Sequence, residues 1–161
     1  MIERYDREAA VAYAHKWAFA RNPRFADFEA MGGDCTNFAS QVLMAGGADM
    51  NYTPITGWYY LSLNQRAPAW TGVAFLHRFL IHNRGPGPFA TEAALTQAEP
   101  GDILQLSYDG QRFNHCPVVV SATGGARGIR LAAHSADVDN RPLSDFPYKT
   151  YRLLHIEGIR R

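Results

Sequence analysis

The feature that most constrains the fold of this chain is the order of the secondary-structure patterns along its sequence. Apolar residues recur at helical spacing before Pro100, whereas short aliphatic runs follow it. Hairpin-length turns such as Asp109-Gly110 separate these runs. Helices followed by closely linked strands are typical of an α+β domain in which helices pack on an antiparallel sheet. The 161 residues have the length of one domain, so we expect a single domain over residues 1–161.

Apolar spacing and turn residues predict the individual elements. Helical patterns cover about residues 7–20, 35–45 and 71–82. Asp6 can cap the first of these helices. Aliphatic runs predict strands over residues 103–106, 115–120, 128–134 and 151–156. Residues 48–70 are irregular and rich in aromatic side chains, which either line a cleft or complete the core.

Composition and charge exclude several classes of protein. Hydrophobic residues make up 47% of the chain and charged residues 19%, which is typical of globular proteins and not of disordered ones. The formal net charge is +1, so electrostatics gives no reason to expect a nucleic-acid or membrane partner. No apolar run approaches the ~18 residues that a membrane span needs. Because the polar start lacks a signal peptide, we expect a cytoplasmic protein, or an exported one whose signal has been removed.

A cysteine lies at the predicted start of the second helix. Two glycines precede Asp34, which can cap the helix and leave Cys35 in its first turn. Unpaired backbone N–H groups and the helix dipole favour a thiolate there, so the pKa of Cys35 should fall below its ordinary value near ~8.5. The same position also suits a buried structural cysteine, and the local sequence alone favours neither interpretation.

A nucleophilic thiol needs a base and a group that orients the base. His115 begins a predicted strand and His134 ends the next one. These positions are neighbours in an antiparallel pair, so His115 can take the thiol proton while His134, or else Asp137, orients its ring. The alternative is a set of unrelated polar residues at strand ends. If His115 faces Cys35, strand alternation turns Cys116 to the other face as a small buried residue.

The two cysteines, Cys35 and Cys116, predict neither a metal site nor a disulfide framework. They lack the paired spacing of zinc ligands, and thiol chemistry requires no metal or cofactor. A single disulfide between them is an alternative that the expected reducing compartment disfavours.

Several motifs together resemble a known group of enzymes. They are Ala9-Ala10-Val11-Ala12-Tyr13-Ala14, Trp17, Arg21-Asn22-Pro23, Gly32-Gly33-Asp34-Cys35-Thr36-Asn37-Phe38-Ala39-Ser40-Gln41, Gly57-Trp58-Tyr59-Tyr60, Pro100-Gly101-Asp102, Ala133-His134-Ser135-Ala136-Asp137 and His155-Ile156-Glu157-Gly158. The chain resembles the papain-like cysteine hydrolases of the NlpC type, including the CHAP amidases, and more specifically an amidase-like domain family. The resemblance implies a papain-like fold in which Cys35 is the nucleophile, His115 the base and His134 the orienting residue. A long hairpin between the two histidines keeps Asp137 as the alternative.

The resemblance also implies an activity, the thiol-dependent hydrolysis of an amide bond. Peptides with unusual amide bonds, such as the stem peptide of peptidoglycan, are the implied substrates, and a cytoplasmic amide fits equally well. The candidate substrate-binding and oxyanion residues are Asp34, Asn37, Gln41, Trp58, Tyr59 and Tyr60. Acyl transfer through the same thioester and a non-catalytic binding module are the alternatives. The sequence does not define the oligomeric state.

Overall fold

The computed structural model describes all residues from Met1 to Arg161. The helices are α1 (Arg7–Trp17), α2 (Cys35–Ala45), α3 (Pro68–Thr71) and α4 (Val73–His82). The strands are β1 (Ile2–Glu3), β2 (Tyr60–Ser62), β3 (Gln65–Arg66), β4 (Gly87–Ala93), β5 (Ile103–Ser107), β6 (Val118–Ala122), β7 (Ile129–Ala133), β8 (Val138–Pro142) and β9 (Thr150–Arg160). No helix is both long and apolar enough to cross a bilayer.

Seven of the strands form one curled antiparallel sheet around the long strand β9. The order is β1-β9-β5-β6-β7-β8, and β4 pairs with the free edge of β9. Leu154 of β9 lies opposite Ile103 on one side and Glu92 on the other. Strands β2 and β3 form a separate hairpin. The mixed α+β class and the antiparallel sheet are therefore confirmed.

Apolar side chains cover both faces of this sheet. One cluster joins the helices to the sheet and includes Phe38 and Ile103, whereas a second cluster on the other face includes Leu104 and Leu106. Successive residues of β5 thus point to different clusters, as strand geometry requires. Burial of both faces explains why β5 reads as a nearly continuous apolar run.

The principal helices and four of the strands occur where the sequence predicts them. The strand expected from His115 begins only at Val118, and His115 instead forms an isolated bridge with Leu106. Strands β1, β4, β8 and the hairpin were not predicted. In β4, Pro88 reads as a turn residue, but β4 is an edge strand, where proline costs no ladder hydrogen bond.

The aromatic segment of residues 48–70 contributes mainly to the core. Trp58 and Trp70 are fully buried, with ring centroids 4.7 Å apart. Tyr59 and Tyr60 are partly exposed. The core interpretation of this segment is therefore correct for the tryptophans.

A buried carboxylate ties the first helix to the centre of the sheet. Asp102, which has no exposed surface, accepts hydrogen bonds from the backbone N–H groups of Glu99 (2.9 Å) and Ile156 (3.0 Å). Its other partners are the Arg7 guanidinium at 2.8 Å and His155 Nδ1 at 2.8 Å. One side chain thereby joins α1, the turn before β5, and β9.

Replacing this carboxylate should destabilise the whole domain. Asp102→Ala leaves Arg7 without its buried partner, so the free energy of unfolding in urea should fall by roughly 3–5 kcal/mol. Asp145→Ala removes a carboxylate from an exposed pair with Arg141 and should cost less than about 1 kcal/mol. Equal losses in the two variants would contradict the role assigned to Asp102.

Candidate active site

Cys35 is the first residue of α2 and is nearly buried, with 8% of its surface exposed. Its Sγ atom lies 3.8 Å from the Thr36 hydroxyl. Cys35 belongs to the same apolar cluster as Cys116, which lies just before β6. The thiol is therefore held between the start of α2 and the chain that leads into β6.

Asp34 occupies the cap position of α2, but its side chain does not cap the helix. Oδ1 accepts hydrogen bonds from the backbone N–H of Phe28 (2.8 Å) and from Asn37 Nδ2 (2.9 Å), and Oδ2 lies 2.6 Å from His134 Nδ1. The first N–H groups of α2 thus have no side-chain acceptor and can serve an anion. Burial alone would raise the pKa of Asp34, but the hydrogen bonds from His134, Asn37 and Phe28 bring it below its ordinary value.

Both ring nitrogens of His134 have partners within the fold. Nδ1 contacts Asp34, and Nε2 lies 2.8 Å from the carbonyl oxygen of Trp17. Both partners are oxygen atoms of the fold, so both ring nitrogens are occupied. The ring also stacks on Phe38, with centroids 4.2 Å apart. His134 therefore has no free nitrogen for His115 and instead joins α1, α2 and β7.

Asp137, the alternative orienting residue, also has another partner. The Arg21 guanidinium binds its two carboxylate oxygens at 2.9 Å and 3.1 Å. Arg21 Nε lies 3.5 Å from Asp34 Oδ2. Asp137 and His134 thus belong to one network that anchors the start of α2, and neither is hydrogen-bonded to His115. Arg21 is also part of this network. Its position in the Arg21-Asn22-Pro23 motif is the one feature of the sequence that points to a role at the site.

His115 is nearly buried, and it is the histidine whose ring makes no hydrogen bond. The ring packs between Tyr108 and Phe146, with centroid distances of 6.2 Å and 6.0 Å. Burial lowers the pKa of His115 to about 4. At neutral pH the ring is therefore uncharged and its nitrogens are free of protein partners.

The structure reverses the expected alternation at the start of β6. The bridge to Leu106 places His115 on the sheet face away from the helices, whereas Cys116 packs on the helix side. The Thr36 hydroxyl acts on the thiols of both Cys35 and Cys116. No hydrogen bond joins Cys35 Sγ to the His115 ring.

The protonation state of Cys35 also differs from the expectation. Burial raises the pKa of its thiol and outweighs the opposing effect of the Thr36 hydroxyl and of the backbone N–H groups of Thr36 and Cys116. The prediction of a lowered pKa is therefore wrong for this structure. At neutral pH the Cys35 thiol and the His115 ring are therefore both uncharged.

Most of the residues predicted to bind substrate are engaged within the fold. Their contacts are Asn37 with Ala26 and Trp70, Gln41 with Tyr13, Trp58 with Ser40, and Tyr60 with Ala26. Tyr59 stays partly exposed, beside Tyr52 at 6.0 Å. No group of three or more histidine, cysteine or acidic side chains is arranged to hold a metal ion.

Tyr108 is a site residue that the sequence reasoning missed. Its ring lies beside His115, and its pKa is raised by burial and by the charge of a Cys35 thiolate. Tyr108 follows β5 by one residue, two positions beyond the Leu106–His115 bridge. The hairpin register set by Asp109-Gly110 is the signal that could have placed it there.

The low pKa of His115 should make folding stability depend on pH. Between pH about 6.5 and about 4 the unfolded chain binds a proton that the folded chain excludes, so stability should fall as the pH decreases. The loss should be at most about 3 kcal/mol and absent from His115→Gln. Urea unfolding across this pH window measures it, with exposed His82→Gln expected to follow the wild type. Parallel curves for His115→Gln and wild type would contradict the assigned pKa.

Comparison with known proteins places the chain in a family. Residues 4–156 match the model of a family described as "Putative amidase domain". The uncharacterized protein YhbB of Bacillus subtilis (strain 168) is 33% identical over 124 residues, which are 75% of this chain and 39% of YhbB. The chain thus corresponds to about two fifths of that relative. No solved structure matches the chain significantly. Since the family model covers nearly its whole length, the chain belongs to this amidase domain family.

Proposed function

We propose that this protein is an amide hydrolase of the papain-like NlpC type, with Cys35 as the nucleophile and His115 as the general base. Membership of the amidase domain family supports amide hydrolysis. The observation that carries the residue assignment is the nearly buried ring of His115, which is uncharged at neutral pH and makes no hydrogen bond, next in sequence to Cys116 in the apolar cluster that contains Cys35. A neutral imidazole without protein partners is the state that a base needs.

In the first half of the proposed reaction, His115 takes the thiol proton as Cys35 Sγ attacks the carbonyl carbon of the amide. The tetrahedral oxyanion is stabilised by the uncapped N–H groups at the start of α2. The imidazolium then gives its proton to the leaving nitrogen, which departs as an amine and leaves a thioester on Cys35.

Water completes the cycle. His115 takes a proton from the water as it attacks the thioester carbonyl, and the carbon–sulfur bond breaks. Cys35 recovers its proton, and the product leaves as a carboxylic acid. In this mechanism Asp34, His134 and Arg21 position the start of α2 and do not touch the reacting atoms.

The proton transfer requires the His115 ring, which lies on the sheet face away from the helices, to come within reach of the Cys35 thiol when substrate binds. The resting site contains no hydrogen bond between Cys35 and His115, and catalytic hydrogen bonds often tighten only when a substrate is bound. A neutral thiol–imidazole pair avoids the cost of burying two charges before the substrate arrives. We propose peptide amides, including the stem peptides of peptidoglycan, as the substrate class.

Replacement of Cys35 should abolish both turnover and labelling of the reactive thiol. Hydrolysis of a panel of stem-type peptides, followed by mass spectrometry, should drop to background in Cys35→Ala. Labelling by iodoacetamide should be lost with it and, because burial raises the pKa of this thiol, should quicken in wild type as the pH increases.

The matched control is Cys116→Ala, which removes the other buried thiol and should keep both turnover and labelling. Turnover by Cys35→Ala at the wild-type rate would end the proposal.

The pH profile should report His115. An imidazolium cannot accept the thiol proton, so kcat/KM should fall as the pH decreases through about 4 and not through the ordinary histidine range. His115→Gln should lower kcat/KM roughly 100- to 10,000-fold. The control His15→Gln alters an exposed histidine paired with Asp139 and should leave the profile unchanged. An acid limb near neutral pH in folded wild-type protein would count against His115.

A non-catalytic binding module is the second candidate. It is favoured by the missing Cys35–His115 hydrogen bond together with the raised pKa of the thiol. Such a module would hydrolyse none of the peptides, and wild type and Cys35→Ala would then bind them equally well.

A further inference from the structure

A concave region of the molecule lies apart from the Cys35 site. It has a volume of about 500 Å³ and is bordered by α4 and by the loop from Asn51 to Thr56. Neither Cys35 nor His115 lines it. The volume falls within the range of roughly 300–1,000 Å³ that is usual for small-molecule sites.

The polar lining of this cavity carries unpaired positive charge. Arg78, His82 and Arg84 line it, and no acidic residue does. Neither Arg78 nor Arg84 forms an ion pair, whereas Arg7 and Arg21 each contact carboxylates. His82 Nδ1 is 3.0 Å from the Arg78 carbonyl oxygen, so its Nε2 atom remains available. Guanidinium groups without an internal partner suit a carboxylate or another oxyanion.

Apolar side chains form another part of the lining, and two of them are exposed. Phe75 is 52% exposed and Ile55 is 74% exposed, while Phe79 closes the inner wall at 7%. Ile55 has φ = 67°, a left-handed conformation that a branched side chain rarely adopts. Exposed apolar side chains beside a cavity offer contact area to an apolar ligand.

Hydrogen bonds within the chain hold the cavity wall in place. Asn51 Nδ2 donates to the carbonyl oxygen of Pro86 at 3.0 Å, and Asn83 Nδ2 donates to that of Pro88 at 3.0 Å. Asn83 Oδ1 accepts from the Gly85 N–H at 2.9 Å. The wall beside the cationic groups is therefore formed in the absence of a ligand, as binding pockets usually are.

We propose that this cavity binds a small organic anion with an apolar body. The oxyanion would contact Arg78 and Arg84, and the apolar part would lie against Phe75, Phe79 and Ile55. The site is independent of the amide hydrolysis proposed for Cys35, so either assignment can fail without the other.

Two fluorescent probes of similar shape separate the charged contribution from the apolar one. Anilinonaphthalene sulfonate is an aromatic anion, and N-phenylnaphthylamine is its uncharged counterpart. Wild type should bind one equivalent of the sulfonate, and added salt should weaken binding. In the double variant Arg78→Gln/Arg84→Gln the Kd of the sulfonate should rise roughly tenfold or more while that of the amine stays unchanged. Phe75→Ser should weaken both probes.

The matched control is Arg127→Gln, because Arg127 is an exposed arginine outside the cavity. It should bind both probes like wild type, and Cys35→Ala should do the same. Amide chemical shifts of wild-type protein give a readout that needs no variant, since the sulfonate should perturb Thr53, Phe75 and His82. The proposal is overturned if the shifts map elsewhere, or if the double variant binds the sulfonate as tightly as Arg127→Gln does.

Discussion

The buried contact between Asp34 and His134 is the interaction on which the geometry around Cys35 depends. At 2.6 Å it joins the residue before α2 to the end of β7, and His134 extends the connection to the Trp17 carbonyl at the end of α1. Breaking such a buried pair leaves one charge without a partner, which costs far more than losing a surface contact. The same carboxylate also receives the Phe28 N–H. Three separate segments are thus fixed relative to the thiol by two side chains.

The balance between burial and the helix dipole determines the state of the thiol. A helix N-terminus stabilises a negative charge by about 0.3–1 kcal/mol at exposed positions and by up to ~2 kcal/mol where partly buried. Full desolvation shifts a pKa by up to ~3–5 units, each unit being about 1.36 kcal/mol. At Cys35 the second effect exceeds the first. The Cys35 thiol and the His115 ring are therefore both uncharged at neutral pH.

The sequence predicts much of the fold and less of the site. The spacing of apolar residues and the glycines that end the helix predict α2 correctly, from Cys35 to Ala45. Both signals are local, because they depend only on residues that are close in sequence. The strand at His115 was extended too far, since Pro117 follows Cys116 and regular pairing starts only at Val118. The face that each residue takes there depends on the partner in β5, which a single sequence does not reveal.

The partners of the polar side chains were harder to predict than their positions. Asp34 was correctly placed at the cap position, yet its carboxylate turns to His134, which is 100 residues away in sequence. Asp137 turns likewise to Arg21. A charged side chain near a helix end can form a hydrogen bond with a nearby backbone group or with a residue that is distant in sequence. Tertiary packing determines which of the two bonds forms.

The position of β9 has a consequence for how the chain folds. β9 pairs with β1, β4 and β5, although those strands precede it by tens of residues or more. The helices and the first strands therefore emerge from the ribosome before β9, the strand that completes the sheet. Until β9 is synthesised, the apolar faces of these elements stay exposed to water. Contacts of such long sequence separation slow folding, since loop-closure entropy is lost before the pairing is gained. During synthesis, the nascent chain with unpaired β4 and β5 edges is the species most exposed to aggregation.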